Sequence, residues 1–139
     1  MSLLTDKFFN NALNASDDIV EMVDGRIFNP ARLTVDEEED KIPYIIIMFE
    51  GLQNMTETKD ESVEGDEDNV TVSILCVSNS CDSLGEMTEA VRQQCVSYWE
   101  SEDDEYRPID WTFSASRVEY DPEKPCCYQT LTYQCRTNK

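Results

Sequence analysis

The chain has 139 residues, enough for one hydrophobic core and too few for two, and its 30 Asp and Glu against 11 Lys and Arg give a formal net charge of −19. Such a surface repels nucleic acid, whose affinity for proteins comes mainly from Lys and Arg neutralising phosphates, so composition argues against specific nucleic-acid binding. Histidine is absent, which removes the commonest general base and the usual partner of cysteine in a zinc site.

Leu4, Phe8 and Ala12 recur at four-residue steps, with Leu3, Phe9 and Leu13 beside them, and predict a helix from Ser2 to about Ala15 with one buried face. Its polar residues Thr5, Asp6, Lys7, Asn10 and Asn11 mark it as neither a signal peptide nor a membrane span, and no later apolar run approaches the ~20 residues that a span needs. Ser16 is placed to cap a short second helical turn with Asp17 and Asp18 at its positive end, and Asp24-Gly25 ends it. Arg26 to Asn29 reads as a short strand.

After a charged loop, Pro43 to Glu50 holds six consecutive apolar residues, Tyr44 to Phe49. A strand of that kind has both faces covered, the second by a folded-over loop or by a neighbouring subunit. Gly51 to Asn69 is a long acidic arm or loop, either an extended hairpin or a disordered connection, because few apolar residues order it. Val70, Val72, Ile74 and Cys76 then alternate with Thr71, Ser73, Leu75 and Val77 as a period-2 strand.

Ser83-Leu84-Gly85-Glu86 fits a capping box, and Leu84, Met87, Val91, Cys95 and Tyr98 mark an amphipathic helix to about Trp99. Ile109, Trp111, Phe113 and Ala115 alternate with polar residues, whereas Val118 and Tyr120 fall on the other parity, through a bulge or through partial cover of both faces. Asp121 to Pro125 is a turn cluster, and Cys127, Gln129, Leu131, Tyr133 and Cys135 form a last strand, antiparallel to the preceding one. The order predicts a single domain over residues 1–139. Its class is α+β, a two-layer sandwich with a mainly antiparallel sheet of about five strands and two helices packed on one face.

Three runs hold seventeen of the thirty acids: five in Asp36 to Asp40, seven in Glu57 to Asp68 and five in Glu100 to Glu105. They read as solvated loops, and Asp36, Glu37, Glu38, Glu39, Asp66, Glu67 and Asp68 are the candidate acidic surface. Glu64 to Asn69 clusters oxygens but lacks the ordered ligand spacing of an EF-hand loop, so only adventitious divalent binding is expected there. The six cysteines, Cys76, Cys81, Cys95, Cys126, Cys127 and Cys135, fall inside predicted strands and a helix with no secretory signal. They are expected to be free buried thiols, and none shows C-x-x-C spacing. No nucleophile-base pair and no isolated carboxylate pair is legible, and the residues call for no catalytic group, cofactor or metal. The chain reads as a structural or interaction protein.

The turn and strand at Asp24, Gly25, Arg26 and Ile27, the Pro43-Tyr44 strand start, and the strand-then-helix unit from Val70 to Cys95 together resemble the small tail-completion, or tail-terminator, proteins of long-tailed bacteriophages and prophages. The resemblance implies a ring, usually a hexamer, that caps the head-proximal end of the tail tube, stops its polymerisation and receives the filled head. It implies self-association, a tail-tube protein and a head-completion protein as partners, and assembly in the bacterial host cytoplasm before incorporation in the virion. On that reading Tyr44, Ile46, Met48 and Phe49, with Arg26 and Arg32 in the flanking turn and loop, are candidate intersubunit contacts, and some acidic runs line a lumen. Three alternatives stay open, the first two being another head-tail connector, such as a neck or head-closure protein, and an acidic inhibitor whose carboxylates imitate phosphate spacing. A carboxylate enzyme with a divalent metal is the third, and it requires a defined metal stoichiometry.

Overall fold

Two left-handed residues, Asp24 and Gly25, decide where the second N-terminal helix stops. The structure, a computed structural model, describes residues 2–30, 41–55 and 65–138. After a 3-10 turn at Ser2–Leu4, α1 runs Asp6–Asn14 and α2 runs Asp17–Met22. The expected helix start is the tighter turn because the Thr5 hydroxyl donates to the Ser2 carbonyl at 2.7 Å. Ser16 Oγ accepts from the Ile19 N–H at 3.3 Å, so it caps α2 as its sequence position foretold. Asp24 at φ 51° and Gly25 at φ 75° then reverse the chain, and the Gly25 N–H closes on the Val20 carbonyl at 2.8 Å.

Strand β1, Ile27–Phe28, follows at once and pairs in parallel with β2, Tyr44–Met55. β2 turns back antiparallel into β3, Glu67–Ser78. Residues 51–55 and 67–69, expected in the polar connection, are therefore ladder residues, with Leu52 opposite Val70 and Asn54 opposite Asp68. Side-chain amide bonds do here what apolar residues do elsewhere. Asn54 Nδ2 donates to Asp68 Oδ1 at 2.7 Å, and its Oδ1 accepts from the Gly65 N–H at 2.8 Å. The centre of the expected arm, 56–64, lies outside the described residues, as does 31–40. A bulge between Phe49 and Gly51 shifts the β2 register, with Gly51 at φ 157°, a value that side-chain-bearing residues rarely adopt.

Helix α3, Cys81–Ser101, starts earlier than the capping-box signature indicates. Its cap is Ser80, whose Oγ accepts from the Ser83 N–H at 3.2 Å, while Ser83 itself lies inside the first turn. β4, Asp110–Ala115, and β6, Cys126–Asn138, are antiparallel as expected. The off-parity residues are explained by a break in the chain's course: it leaves the ladder after Ala115 and returns as β5, Glu119–Asp121, on the lower half of β6. The strand order is β1-β2-β3-β6-β4, with β5 also on β6. Among the described residues the fold is an α+β sandwich of six strands and three α-helices, richer by one strand and one short helix than the sequence count.

The core lies between the sheet and α1 with α3. Phe8, Phe9, Ala12 and Leu13 of α1 and Leu84, Met87, Val91 and Cys95 of α3 are buried against Ile45, Ile47, Val72, Ile74, Leu131 and Tyr133. Phe9 sits on Tyr133 with ring centroids 4.8 Å apart, and Trp111 and Phe113 meet the same tyrosine at 5.4 and 5.1 Å. The cysteine expectation needs one correction. Cys81, the first residue of α3, is disulfide-bonded to Cys127 of β6 across 46 residues of sequence, with Cα atoms 5.5 Å apart. Cys76, Cys95, Cys126 and Cys135 are free and buried.

Candidate assembly surface

Because side chains alternate along β2, the apolar run divides between two faces. Ile45 and Ile47 are fully buried under the helices, and Phe49 packs against the same core. Phe49 therefore stands on the helix side of the sheet, partly buried, apart from the other candidate contacts on β2. Tyr44, Ile46 and Met48 stand on the opposite, helix-free face and are half-buried. Their cross-strand partners are Val77, Leu75 and Ser73.

Leu75 and Val77 are the apolar residues that fall on the polar parity of β3, and with Tyr128 of β6 they turn one end of the helix-free face apolar. That off-parity pair was the sequence signal for this patch. A hollow of about 240 Å³ lies there, lined by Tyr44, Leu75, Tyr128 and Cys126 and by Asp121 and Lys124. Val77 is only 3 % exposed, so cover on this side is complete at the β5–β6 turn and partial along Tyr44, Ile46 and Met48. At the other end the face is polar. A shallower concavity of about 510 Å³ lies between Gln53, Thr71, Thr112 and Gln134, with Arg136 bridging Asp110 at 2.7 Å and Glu67 at 3.7 Å.

Arg26 is engaged within its own chain. Its Nε donates to the Pro43 carbonyl at 3.0 Å and its Nη1 to Asp24 Oδ2 at 3.4 Å, and the side chain is only 13 % exposed. It fastens the turn before β1 to the start of β2. Arg32, Asp36, Glu37, Glu38 and Glu39 lie outside the described residues. Asp66 is exposed and Glu67 half-buried beside Arg136. Asp68 departs from the acidic-surface expectation: it is buried, because β3 turns its side chain to the helix side, where Asn54 donates to it.

The third acidic run also has structure. Glu100 lies in the last turn of α3, and Asp104 accepts from Asn11 Nδ2 at 3.0 Å, the Tyr98 hydroxyl at 2.8 Å and the Tyr106 N–H at 2.8 Å. This carboxylate pins the loop after α3 to α1.

The buried thiols are poor nucleophiles. Burial pushes Cys76, Cys95 and Cys135 each up to about 12, so essentially none is thiolate at neutral pH. Burial and the neighbouring Cys95 thiol also push the Tyr133 phenol upward. Among the described residues no three His, Cys, Asp or Glu are placed to hold a metal ion, and no helix is long and apolar enough to cross a membrane.

No protein-family description matches the sequence, and no curated protein matches it either. Solved structures do. A chain from the virion of a native gene transfer agent particle superposes with a TM-score of 0.57 at 10 % identity, covering 94 % of this chain and 92 % of the other. The gp17 protein of bacteriophage SPP1 superposes with a TM-score of 0.54 at 15 % identity, covering 96 % of this chain and 89 % of the other. The fold is shared with both over nearly the whole chain.

Proposed function

We propose that the protein is a structural component of a phage or prophage tail that assembles as a ring, caps the tail tube and joins it to the head. The observation that carries this reading is the end-to-end likeness in fold to a gene transfer agent virion chain and to SPP1 gp17. The residues are in keeping with it, since burial holds the thiols of Cys76, Cys95 and Cys135 protonated and Arg26, Asp68 and Asp104 are tied into the fold. Work done by geometry needs no reacting group: copies that join head to tail with a rotation that closes make a ring with one face toward the tube and another that does not propagate it.

The partners on this reading are further copies of the chain, the tail-tube protein and a head-completion protein, and the site of action is the head-proximal end of the tail. Negative-stain microscopy and mass photometry of the purified protein, alone and with the cognate tail-tube protein, test the reading. Closed rings, or tubes capped at one end, are the expected result. Monomers that leave the tubes uncapped and instead bind a basic enzyme would overturn it in favour of an acidic inhibitor.

A further inference from the structure

Among the described residues, both borders of the sheet have stretches that pair with no further strand. β1 pairs with β2 only at Ile45 and Ile46, and the chain then departs through Asn29, whose Nδ2 donates to the buried Asp6 Oδ2 at 3.1 Å, and Pro30, which has no N–H to give. The parallel register of Phe28 with Ile46 takes up the Ile47 N–H, and from the Ile47 carbonyl to Gln53 the outer border of β2 pairs with no described strand. The outer border of β4 is likewise open among the described residues. Open strand borders are ready templates for another strand, and β2 carries neither Lys nor Pro to blunt its border.

We propose that a second copy of this chain occupies that border, β4 of one copy pairing antiparallel with β2 of the next, so that one continuous sheet runs around the ring. The proposal deepens the ring reading and rests on it. Three features of the ladder support it. Direction is the first. β2, β3, β6 and β4 alternate, so β4 runs opposite to β2, and a rotation about an axis along the strands brings the two together antiparallel.

Height is the second. One row of the sheet is Ala115, Leu131, Ile74 and Ile47, and another is Asp110, Arg136, Asn69 and Gln53. The whole of β4 therefore stands level with the open stretch of β2, and rotation without any rise sets them face to face. Absence of rise is what separates a closed ring from a helical filament.

Hydrogen-bond phase is the third. The Ser116 N–H donates to the Thr130 carbonyl at 2.9 Å, so even-numbered residues of β4 bond to β6, while Trp111, Phe113 and Ala115 turn their backbone groups outward. On β2 the Ile45 N–H donates to Arg26 across the outer border, which sets Ile47 and Phe49 outward too, and the bulge at Glu50 passes that phase to Leu52. The outward residues share rows: Ala115 with Ile47, Phe113 with Phe49, and Trp111 with Leu52. An even number of strands between the borders makes this match: Phe113 with Phe49 and Trp111 with Leu52 form two doubly bonded pairs, and the Ala115 N–H adds a single bond to the Ile47 carbonyl, whose N–H is held by β1. Charge permits the contact, because in a chain of net charge −19 the facing stretches carry only Glu50 and Asp110, the latter held by Arg136.

The test uses the full chain. Met48 and Ser114 share a row of the other phase, where opposed side chains come closest, and both lie on the helix-free face. Met48→Cys with Ser114→Cys in one chain, oxidised under ring-forming conditions, is expected to give a ladder of covalent oligomers in non-reducing gels. Mixed single variants are expected to give dimers, and neither single variant alone. Ala115→Pro, which removes an outward N–H and leaves the β6 ladder intact, is expected to weaken association roughly tenfold or more, read by mass photometry. Rings that form undiminished in Ala115→Pro and never cross-link would overturn edge pairing while leaving the ring reading standing. Absence of both rings and cross-links would overturn the two together.

Discussion

Arg26 sits where a turn, a strand start and a proline carbonyl meet, and its guanidinium is the one group that reaches all three. Its bond to the Pro43 carbonyl is charge-assisted and largely shielded from water, and such bonds contribute roughly 1.5–3 kcal/mol. Arg26→Ala is expected to lower unfolding stability in urea by about that amount while leaving self-association of the folded protein unchanged; a full-strength monomer that fails to assemble would return Arg26 to the interface. The thiols give a second residue-scale expectation. Their folded values near 12 lie above the ordinary 9.0, so the native state keeps protons that the unfolded chain releases. Stability is therefore fully present below about pH 9 and falls as pH rises toward 12, each thiol contributing a slope of about 1.4 kcal/mol per pH unit. Urea midpoints between pH 8 and 10.5 check this. A flat profile, or a slope unchanged in Cys95→Ala, would contradict it.

Among the elements, α3 begins earlier than its sequence signature indicates, and the reason is informative. Ser83-x-x-Glu86 has the composition of a capping box, but Ser80 has the extended backbone that a cap needs, at φ −142° and ψ 159°, and Ser83 does not. Ser80→Ala is expected to cost about 1 kcal/mol, measured by thermal unfolding; a loss for Ser83→Ala alone would restore the sequence assignment. What was legible follows from periodicity. The stripe of α1, the alternation of β3 and β4 and the Asp24-Gly25 stop each express a local rule, and each is found in place. What was not legible depends on partners distant in sequence. Cys81 meets Cys127 across 46 residues, Asp68 is buried because Asn54 stands opposite, and β1 is parallel because its two residues dock beside Ile45 and Ile46. Of the candidate contacts, the split between Tyr44, Ile46 and Met48 on one face and Phe49 on the other follows from alternation, but the run of six apolar residues masked the parity that shows which face the helices take.

For the whole molecule the decisive quantity is charge against geometry. A copy carrying −19 repels its neighbour, yet the helix-free face presents Thr71, Thr112, Ser114, Thr132 and Gln134 in its central rows, and its Arg136 is already held by Asp110 and Glu67. Association through such a face and its borders gains backbone hydrogen bonds and apolar contact while working against a diffuse like-charge field. Salt screens that field, with a Debye length of about 30 Å at 0.01 M shrinking to about 10 Å at 0.1 M. Ring formation is therefore expected to strengthen several-fold between those two salt concentrations at fixed protein concentration, read as the ring fraction in mass photometry. Binding of clustered carboxylates to a basic enzyme has the opposite dependence, because there the long-range field is attractive and salt removes it. One titration thus separates the two readings by sign: assembly that rises with salt fits neutral surfaces meeting against net repulsion, and assembly that dissolves with salt would mean that ion pairs hold the copies together, against the neutral-edge geometry proposed for the sheet.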